Sequence, residues 1–168
     1  YRIAAENGHP KATINLQNGS LRGKYQLRAH EHLRFSQDLI DANVATGYYF
    51  VSVFLKNGIA DLKQDMEMSL RYQRKAADEG SAQAQYEIGE ALAPSDIAPE
   101  IAVQMYRCAA GQGHGDAAST LGVDRKYNKK YRDALEAFQL GVAAGDESSA
   151  SFLRHGFRGP EPTNELYY

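Results

Sequence analysis

Few residues in this sequence have the types and spacing that catalysis needs. His30 and His32 flank Glu31, and imidazoles at i and i+2 lie about 200° apart on a helix, so they cannot chelate one metal as an i, i+4 pair does. We therefore expect both histidines to be solvated. Residues 111–115 are glycine-rich but lack the preceding strand and the following Lys of a phosphate-binding loop, and we interpret them as a turn.

The other candidates for acid–base or nucleophilic chemistry are equally weak. Neighbouring acids such as Asp78 and Glu79 fall at helix ends, where charges are common, so general acid–base work is not assigned to them. Cys108 is the only cysteine, which excludes a disulfide within this sequence, and no motif ties a base to it. We predict no catalytic residue, no metal site, no cofactor and no enzymatic activity. An enzyme would require a reactive cluster outside this sequence.

The elements that position these residues repeat along the chain. At five positions a single residue lies between an Ala-rich helical stretch and the next helix: Gly8, Asn43, Gly80, Gly113 and Gly145. The distances between successive positions are 35, 37, 33 and 32 residues. A repeat of this length fits two short antiparallel helices with their turns. A helix that reverses within a few residues commonly ends in a left-handed residue, for which Gly and Asn are suited. We call these five the junction residues and predict a left-handed backbone at each.

Side chains around the junction residues follow one frame. Four positions after each junction the residue is small (Ala12, Gly47, Ala84, Ala117, Ser149), and eight positions after it is aliphatic (Leu16, Val51, Ile88, Leu121, Leu153). Small residues let helices approach closely, and the aliphatic residues fill the space between neighbouring pairs. The pattern predicts an all-α solenoid of antiparallel helix pairs, with helices over residues 10–18, 27–42, 45–57, 65–79, 82–93, 98–111, 115–124, 130–144 and 147–155.

We expect a single solenoid over residues 1–155, irregular over 19–42, followed by a cap or linker over 156–168. The chain has 168 residues, of which 43% are apolar and 24% charged, which suffices for one continuous core. The longest apolar run, residues 48–55, is far shorter than the roughly 20 residues that span a bilayer. A formal charge of −2 argues against a general nucleic-acid binder. Because Tyr1 lies within a helical pattern, we expect a fragment or trimmed product, in which any targeting segment would lie upstream.

The junction frame resembles the Sel1-like repeats, relatives of the tetratricopeptide repeats. The residues with the clearest likeness are 69–80 followed by Ala84, Ile88 and Gly89, and 102–113 followed by Ala117, Leu121 and Gly122. A third copy over 134–145 is looser, because Arg154 replaces the second-helix glycine. The resemblance implies that the solenoid is a right-handed superhelix.

The repeat frame also predicts which side chains face a partner. In tetratricopeptide-like solenoids the first helix of each pair lines the concave face, and positions three, six, ten and thirteen after a junction share one side of it. The concave-face residues predicted to bind a partner are Tyr49, Lys56, Gln83, Tyr86, Glu90, Asp116, Ser119, Lys126, His155 and Arg158. Their mixed charge favours a protein or peptide over a nucleotide. Half-buried packing explains the two tyrosines equally well.

The strongest local charge lies over residues 125–132, from which we define the basic cluster as Arg125, Tyr127, Lys129 and Lys130. One interpretation is a solvated turn with cations at a helix C-terminus, where they suit the helix dipole. Another is a patch that docks an acidic partner surface, with tyrosines as anchors. Nucleic acid ranks third, because the rest of the chain does not extend the patch.

A narrower resemblance concerns residues 41–50, 69–85, 101–110 and 152–160. These segments are similar to a bacterial group of Sel1-repeat proteins that are found beside phospholipase-D-type effectors of the type VI secretion system and act as their immunity proteins. The resemblance implies an exported, periplasmic protein that binds a toxic lipase and blocks its substrate entry or membrane approach. The alternative is a Sel1-repeat scaffold in cell-envelope signalling that inhibits no enzyme.

Overall fold

The computed structural model describes residues 1–94 and 99–155, which form helices joined by turns and include no strand. The helices are α1 (Arg2–Glu6), α2 (Pro10–Leu21), α3 (Ala29–Asp41), α4 (Thr46–Asn57), α5 (Met66–Asp78), α6 (Ala82–Leu92), α7 (Pro99–Gly111), α8 (Gly115–Tyr127), α9 (Tyr131–Ala143) and α10 (Glu147–Arg154). The all-α prediction is confirmed, and each helix predicted above is present. None of the helices in the described ranges has the length and apolar character needed to cross a membrane.

Two compact units make up the chain, Tyr1–Ala84 and Gln85–Tyr168. In the first unit α4 packs against α3 and α5, around buried Leu39, Phe50 and Phe54. In the second unit α8 packs against α7 and α9, and α9 packs against α10. The single solenoid over residues 1–155 stays a prediction, and the predicted cap or linker over 156–168 lies outside the described residues.

All five junction residues have a left-handed backbone, as predicted, with φ between 55° at Asn43 and 95° at Gly80. Two hydrogen bonds recur at each junction. At Gly80, its own N–H donates to Ala77 O (3.1 Å), and the next N–H, from Ser81, donates to Ala76 O (2.7 Å). This is the Schellman arrangement, which satisfies carbonyls at the end of the preceding helix. The junctions therefore end one helix and redirect the chain into the next.

The small column four residues after each junction is buried at every position. At Gly47 the reason is a close backbone approach, since a Cβ there would lie 2.6 Å from the carbonyl oxygen of Ser36 on α3. In the aliphatic column Leu16 and Leu121 are buried, while the other three members are half-buried. Small residues thus set the distance between helices, as the sequence frame predicts.

Two helices run about a turn longer than predicted, and the ends of both have a physical reason. α2 continues to Leu21, and the turn after it contains Gly23 with a φ of 73°. α8 continues to Tyr127 because Lys129 takes the left-handed conformation (φ 59°) and the Lys130 N–H reaches Arg125 O at 2.9 Å. Residues 19–42, expected to be irregular, contain the end of α2, a seven-residue connection and the regular helix α3.

The expectation that both histidines of residues 30–32 are solvated is wrong for His32. His30 is exposed, but His32 is buried, with Nδ1 2.8 Å from Gln17 Oε1 and Nε2 3.3 Å from Ser20 Oγ. Residues at i and i+2 point in nearly opposite directions on α3, and the packing of this helix turns His32 toward the interior and His30 toward solvent. Burial lowers the pKa of the His32 imidazole and so favours the neutral ring, which can donate from Nδ1 to Gln17 Oε1 and accept at Nε2 from the Ser20 hydroxyl.

Candidate partner-binding site

Three predicted concave-face residues lie in the first unit. Tyr49 is half-buried, and its ring centroid lies 5.9 Å from that of Phe50 in the core of that unit. Lys56 is exposed in the last turn of α4, and Gln83 is half-buried near the start of α6. Much of the Tyr49 side chain is therefore occupied in packing within the unit, whereas the charge of Lys56 is exposed to solvent.

Tyr86 in the second unit is half-buried in an aromatic cluster. Its ring stacks on His114, with centroids 4.6 Å apart, and lies 6.0 Å from the Tyr106 ring. His114 is the N-cap of α8, where its Nδ1 accepts the Ala117 N–H at 3.3 Å. Burial lowers the pKa of the His114 imidazole and so keeps Nδ1 available as an acceptor.

The role of His114 was not predicted, although a signal for it exists in the repeat frame. After Gly145 the next residue, Asp146, is the N-cap of α10 and accepts the Ser149 N–H at 2.6 Å. Ser81 occupies the same position and accepts the Ala84 N–H at 3.4 Å. The sequence position of His114 therefore indicates a capping imidazole.

Glu90 is exposed and accepts a 2.6 Å hydrogen bond from the hydroxyl of Tyr106. Burial, together with this hydrogen bond and the nearby carboxylate, raises the pKa of the Tyr106 phenol, so it remains a donor. Burial also raises the pKa of Tyr86. Tyr86 and Glu90 lie six and ten residues after Gly80. Both contact Tyr106 on α7, a residue that the concave-face frame omits.

The other concave-face residues of the second unit are spread along α8 and α10. Asp116 is exposed in the first turn of α8, and Ser119 is half-buried one turn on. Lys126 Nζ lies 5.7 Å from the Phe152 ring centroid, over its face. His155 is exposed and its Nδ1 is 2.9 Å from Ser151 O. Arg158 lies outside the described residues.

The basic cluster has one nearly buried member and three exposed ones. Arg125 is only 12% exposed, and its Nη1 lies 3.8 Å from Oδ2 of the neighbouring Asp124. Tyr127 is 89% exposed in the last turn of α8, while Lys129 and Lys130 are exposed in the turn that follows. The structure therefore separates Arg125, which lies against the protein, from residues that point into solvent.

Arg125 and Lys130 line an open groove of about 600 Å³ between α7 and the end of α8, which we call the basic groove. It is lined by Pro99, Glu100, Val103, Gln104 and Arg107, and by Asp124, Arg125, Asn128 and Lys130. Arg107 is the cation that sequence reasoning missed. Its distance along the chain from the basic cluster hides the association, which depends on how α7 packs against α8.

No family model and no curated protein matches this sequence. Solved structures do match it, and they define the class of the fold as a solenoid of Sel1-like repeats. A Sel1 repeat protein from Oxalobacter formigenes is similar, with a TM-score of 0.65 and 23% identity over 90% of this chain and 46% of that chain. The likeness confirms the predicted fold class.

Two proteins described as immunity proteins are similar over nearly the whole chain. Pa5087 from Pseudomonas aeruginosa is 28% identical with a TM-score of 0.66, over 95% of this chain and 62% of that chain. PA5088 from Pseudomonas aeruginosa is 26% identical with a TM-score of 0.66, over 96% of this chain and 62% of that chain. The predicted resemblance to Sel1-repeat immunity proteins is therefore confirmed, and this chain spans less than two thirds of the length of these structures.

Proposed function

We propose that this protein is a non-catalytic immunity protein that binds and neutralises a secreted antibacterial phospholipase of the type VI secretion system. The similarity to two immunity proteins, at 26% and 28% identity over 96% and 95% of this chain, is the observation that carries the proposal. The phospholipase-D-type target is supported by the narrower sequence resemblance of residues 41–50, 69–85, 101–110 and 152–160.

The proposal places the protein in the periplasm. A phospholipase that attacks a bacterial neighbour acts on membrane lipids, so a protein that blocks its substrate entry or membrane approach must meet it beside the membrane. The resemblance to the immunity group supports this compartment. A fractionation experiment on cells expressing the full-length protein tests it, and recovery in the cytoplasmic fraction alone would contradict it.

The concave-face residues and the basic cluster are the proposed contact surfaces. Every concave-face residue in the described ranges is exposed or half-buried, which leaves it within reach of a partner. The basic cluster adds an exposed aromatic ring, Tyr127, and exposed charge at Lys129 and Lys130. Aromatic anchors with surrounding charge are common in protein interfaces because rings contribute contact area and charges steer the encounter.

Co-expression of this protein with the candidate phospholipase in a susceptible strain tests the proposal. We expect cell survival, a complex in a pull-down and a loss of lipase turnover when the purified proteins are mixed. A phospholipase of unrelated sequence serves as the control and should remain active. The absence of a complex at micromolar concentrations would contradict the proposal. A complex that leaves lipase turnover unchanged would favour the alternative, a Sel1-repeat scaffold that inhibits no enzyme.

A further inference from the structure

We propose that the basic groove binds an acidic segment of the protein partner, with Arg107, Arg125 and Lys130 as the carboxylate-binding side chains. The groove places these three cations around one open space of about 600 Å³, large enough for a few side chains of a peptide. The identity of the partner rests on the proposed function. The binding chemistry rests on the groove itself.

Arg125 is the best placed of the three to bind a carboxylate. It is largely withdrawn from solvent, and the ion pair that it makes within the described residues, to Asp124 at 3.8 Å, is too long for a hydrogen bond. A guanidinium has five N–H donors in a planar fork that matches a carboxylate. Because folding has already removed much of its water, a carboxylate that enters the groove meets a cation whose desolvation is largely complete.

The carbonyl groups at the end of α8 do not depend on the side-chain donors of Arg125. They accept backbone N–H groups instead, since Lys130 N–H donates to Arg125 O (2.9 Å) and Lys129 N–H to Lys126 O (3.1 Å). The carbonyl of Asp124 accepts both the N–H and the Nδ2 of Asn128. The cations are therefore not needed to satisfy the carbonyl groups at the end of α8.

The charges in the groove favour a peptide over a membrane surface. Glu100 and Asp124 also lie in its walls, and their carboxylates would repel an anionic lipid layer. A peptide can place carboxylates against the three cations and backbone N–H groups against the two acids. Asp124 is partly engaged already, because its Oδ1 accepts a 3.1 Å hydrogen bond from Asn128.

A hexaglutamate peptide titrated into the ¹⁵N-labelled protein at low ionic strength tests the binding chemistry. We expect the largest chemical-shift changes at Arg107, Arg125 and Asn128. The double variant R107Q/K130Q removes two exposed cations and should lower the affinity about tenfold or more, since hydrogen bonds between charged groups are the strong ones. Its circular dichroism spectrum should match that of the wild type.

The matched control is R132Q, which removes one cation of the same sequence run outside the groove. Arg132 is exposed and lies 3.7 Å from Glu136. It contributes to the long-range field but not to the groove, so we expect at most about a twofold change in affinity from its loss. Equal losses in R132Q and R107Q/K130Q would overturn the inference, as would shifts spread over all exposed cations.

Binding and inhibition assays of the same variants with the phospholipase distinguish a failure of this inference from a failure of the proposed function. If the wild type binds and inhibits the lipase while R107Q/K130Q binds within about twofold of it, the groove inference fails and the function stands. If the lipase is not bound but hexaglutamate shifts the groove resonances, the function fails and the groove stands. Binding to phosphatidylglycerol vesicles without binding to hexaglutamate would also overturn the inference, in favour of a membrane contact.

Discussion

The imidazole of His114 lies against the phenol ring of Tyr86, with 4.6 Å between the ring centroids and 27° between the ring planes. This contact joins the start of α8 to α6, because His114 also caps α8 through the Ala117 N–H. Burial lowers the pKa of the imidazole, while the carboxylates of Asp116 and Glu87 act in the opposite direction. The folded second unit therefore selects the neutral ring.

Stability should fall as the pH is lowered through the range in which histidine titrates. A folded-state pKa below the unfolded value of about 6.5 means that the unfolded chain binds protons more tightly, so stability is complete above about pH 6.5 and declines below it. Burial also lowers the pKa of His32, so its contribution to the pH dependence has the same sign. Each histidine contributes a slope of at most about 1.4 kcal/mol per pH unit. Urea unfolding between about pH 7.5 and about pH 5 measures this decline.

The variant His114→Asn isolates the contribution of one ring to that decline. Asn accepts hydrogen bonds at an N-cap position but does not titrate, so the pH slope should be shallower than in the wild type. The variant H30Q, at an exposed histidine, is the matched control. A slope identical in H114N and the wild type would contradict this account.

The contacts of Glu31 predict that folding stability also depends on pH in a second, more acidic range. The backbone N–H of Arg28 (2.8 Å) and then the guanidinium of Arg2 (2.7 Å) lower its pKa to about 2. Because the folded state favours the carboxylate, this stabilisation is present above the unfolded pKa of 4.5 and is lost as the pH falls toward about 2. Glu31→Gln should reduce the pH dependence of unfolding across that window.

The control for Glu31 is Glu6→Gln. Glu6 lies 3.9 Å from the same guanidinium and is exposed, so its pairing with Arg2 contributes little. We expect the acid-unfolding profile of E6Q to follow that of the wild type. If both variants shift the profile equally, the general charge of the first unit, and not the contacts of Glu31, sets the dependence.

Most of the fold was predictable because its turns need particular residues. A left-handed residue after a helix favours Gly or Asn, so the junctions from Gly8 to Gly145 are visible in the sequence. Lys129 was not predictable on that basis, since a Lys has no preference for its φ of 59°. The end of α8 was therefore placed too early. The prediction failed where the local residue type contains no signal and the surrounding packing determines the backbone.

The candidate site was less predictable than the fold. Helical spacing indicates which side of α8 faces away from the small and aliphatic columns, and its predicted members are indeed exposed or half-buried. Spacing within one helix does not predict which turn of α7 lies beside the end of α8, so Arg107 was missed as a neighbour of Arg125. Nor does spacing alone reveal which of His30 and His32 faces the interior.

Gly89→Ala should destabilise the second unit through its contact with Tyr106. An added Cβ would lie 2.7 Å from Cε1 of that ring, which must move and disturb its 2.6 Å hydrogen bond to Glu90. We expect a loss of about 1–3 kcal/mol in the free energy of unfolding, measured by guanidinium denaturation. Gly111→Ala is the control, because nothing lies within 4 Å of its added Cβ, and its stability should be unchanged or higher.

Gly113→Ala tests the backbone of a junction without a steric contact. No atom lies within 4 Å of the added Cβ, so the cost arises from the left-handed φ of 83° alone. We expect a loss of about 1–2 kcal/mol on thermal or chemical unfolding, and a smaller loss for Gly113→Asn. If Gly113→Ala is as stable as Gly111→Ala, the left-handed conformation is not required at this junction.

Tyr127→Ala tests whether the most exposed aromatic ring of the basic cluster contacts the partner. The side chain is 89% exposed, so its removal should change the free energy of unfolding by no more than about 0.5 kcal/mol. An aromatic anchor in an interface, by contrast, contributes about 1 kcal/mol or more, which corresponds to a loss of at least about fivefold in affinity for the phospholipase by calorimetry.

The matched control for Tyr127 is Tyr1→Ala in the first unit, where the ring is also exposed and belongs to neither proposed surface. Its affinity for the phospholipase should equal that of the wild type. Because neither variant is expected to alter stability, a selective loss in Y127A would reflect a lost contact. Equal affinities for Y127A, Y1A and the wild type would exclude Tyr127 from the interface and leave the exposed lysines beside it to act through charge alone.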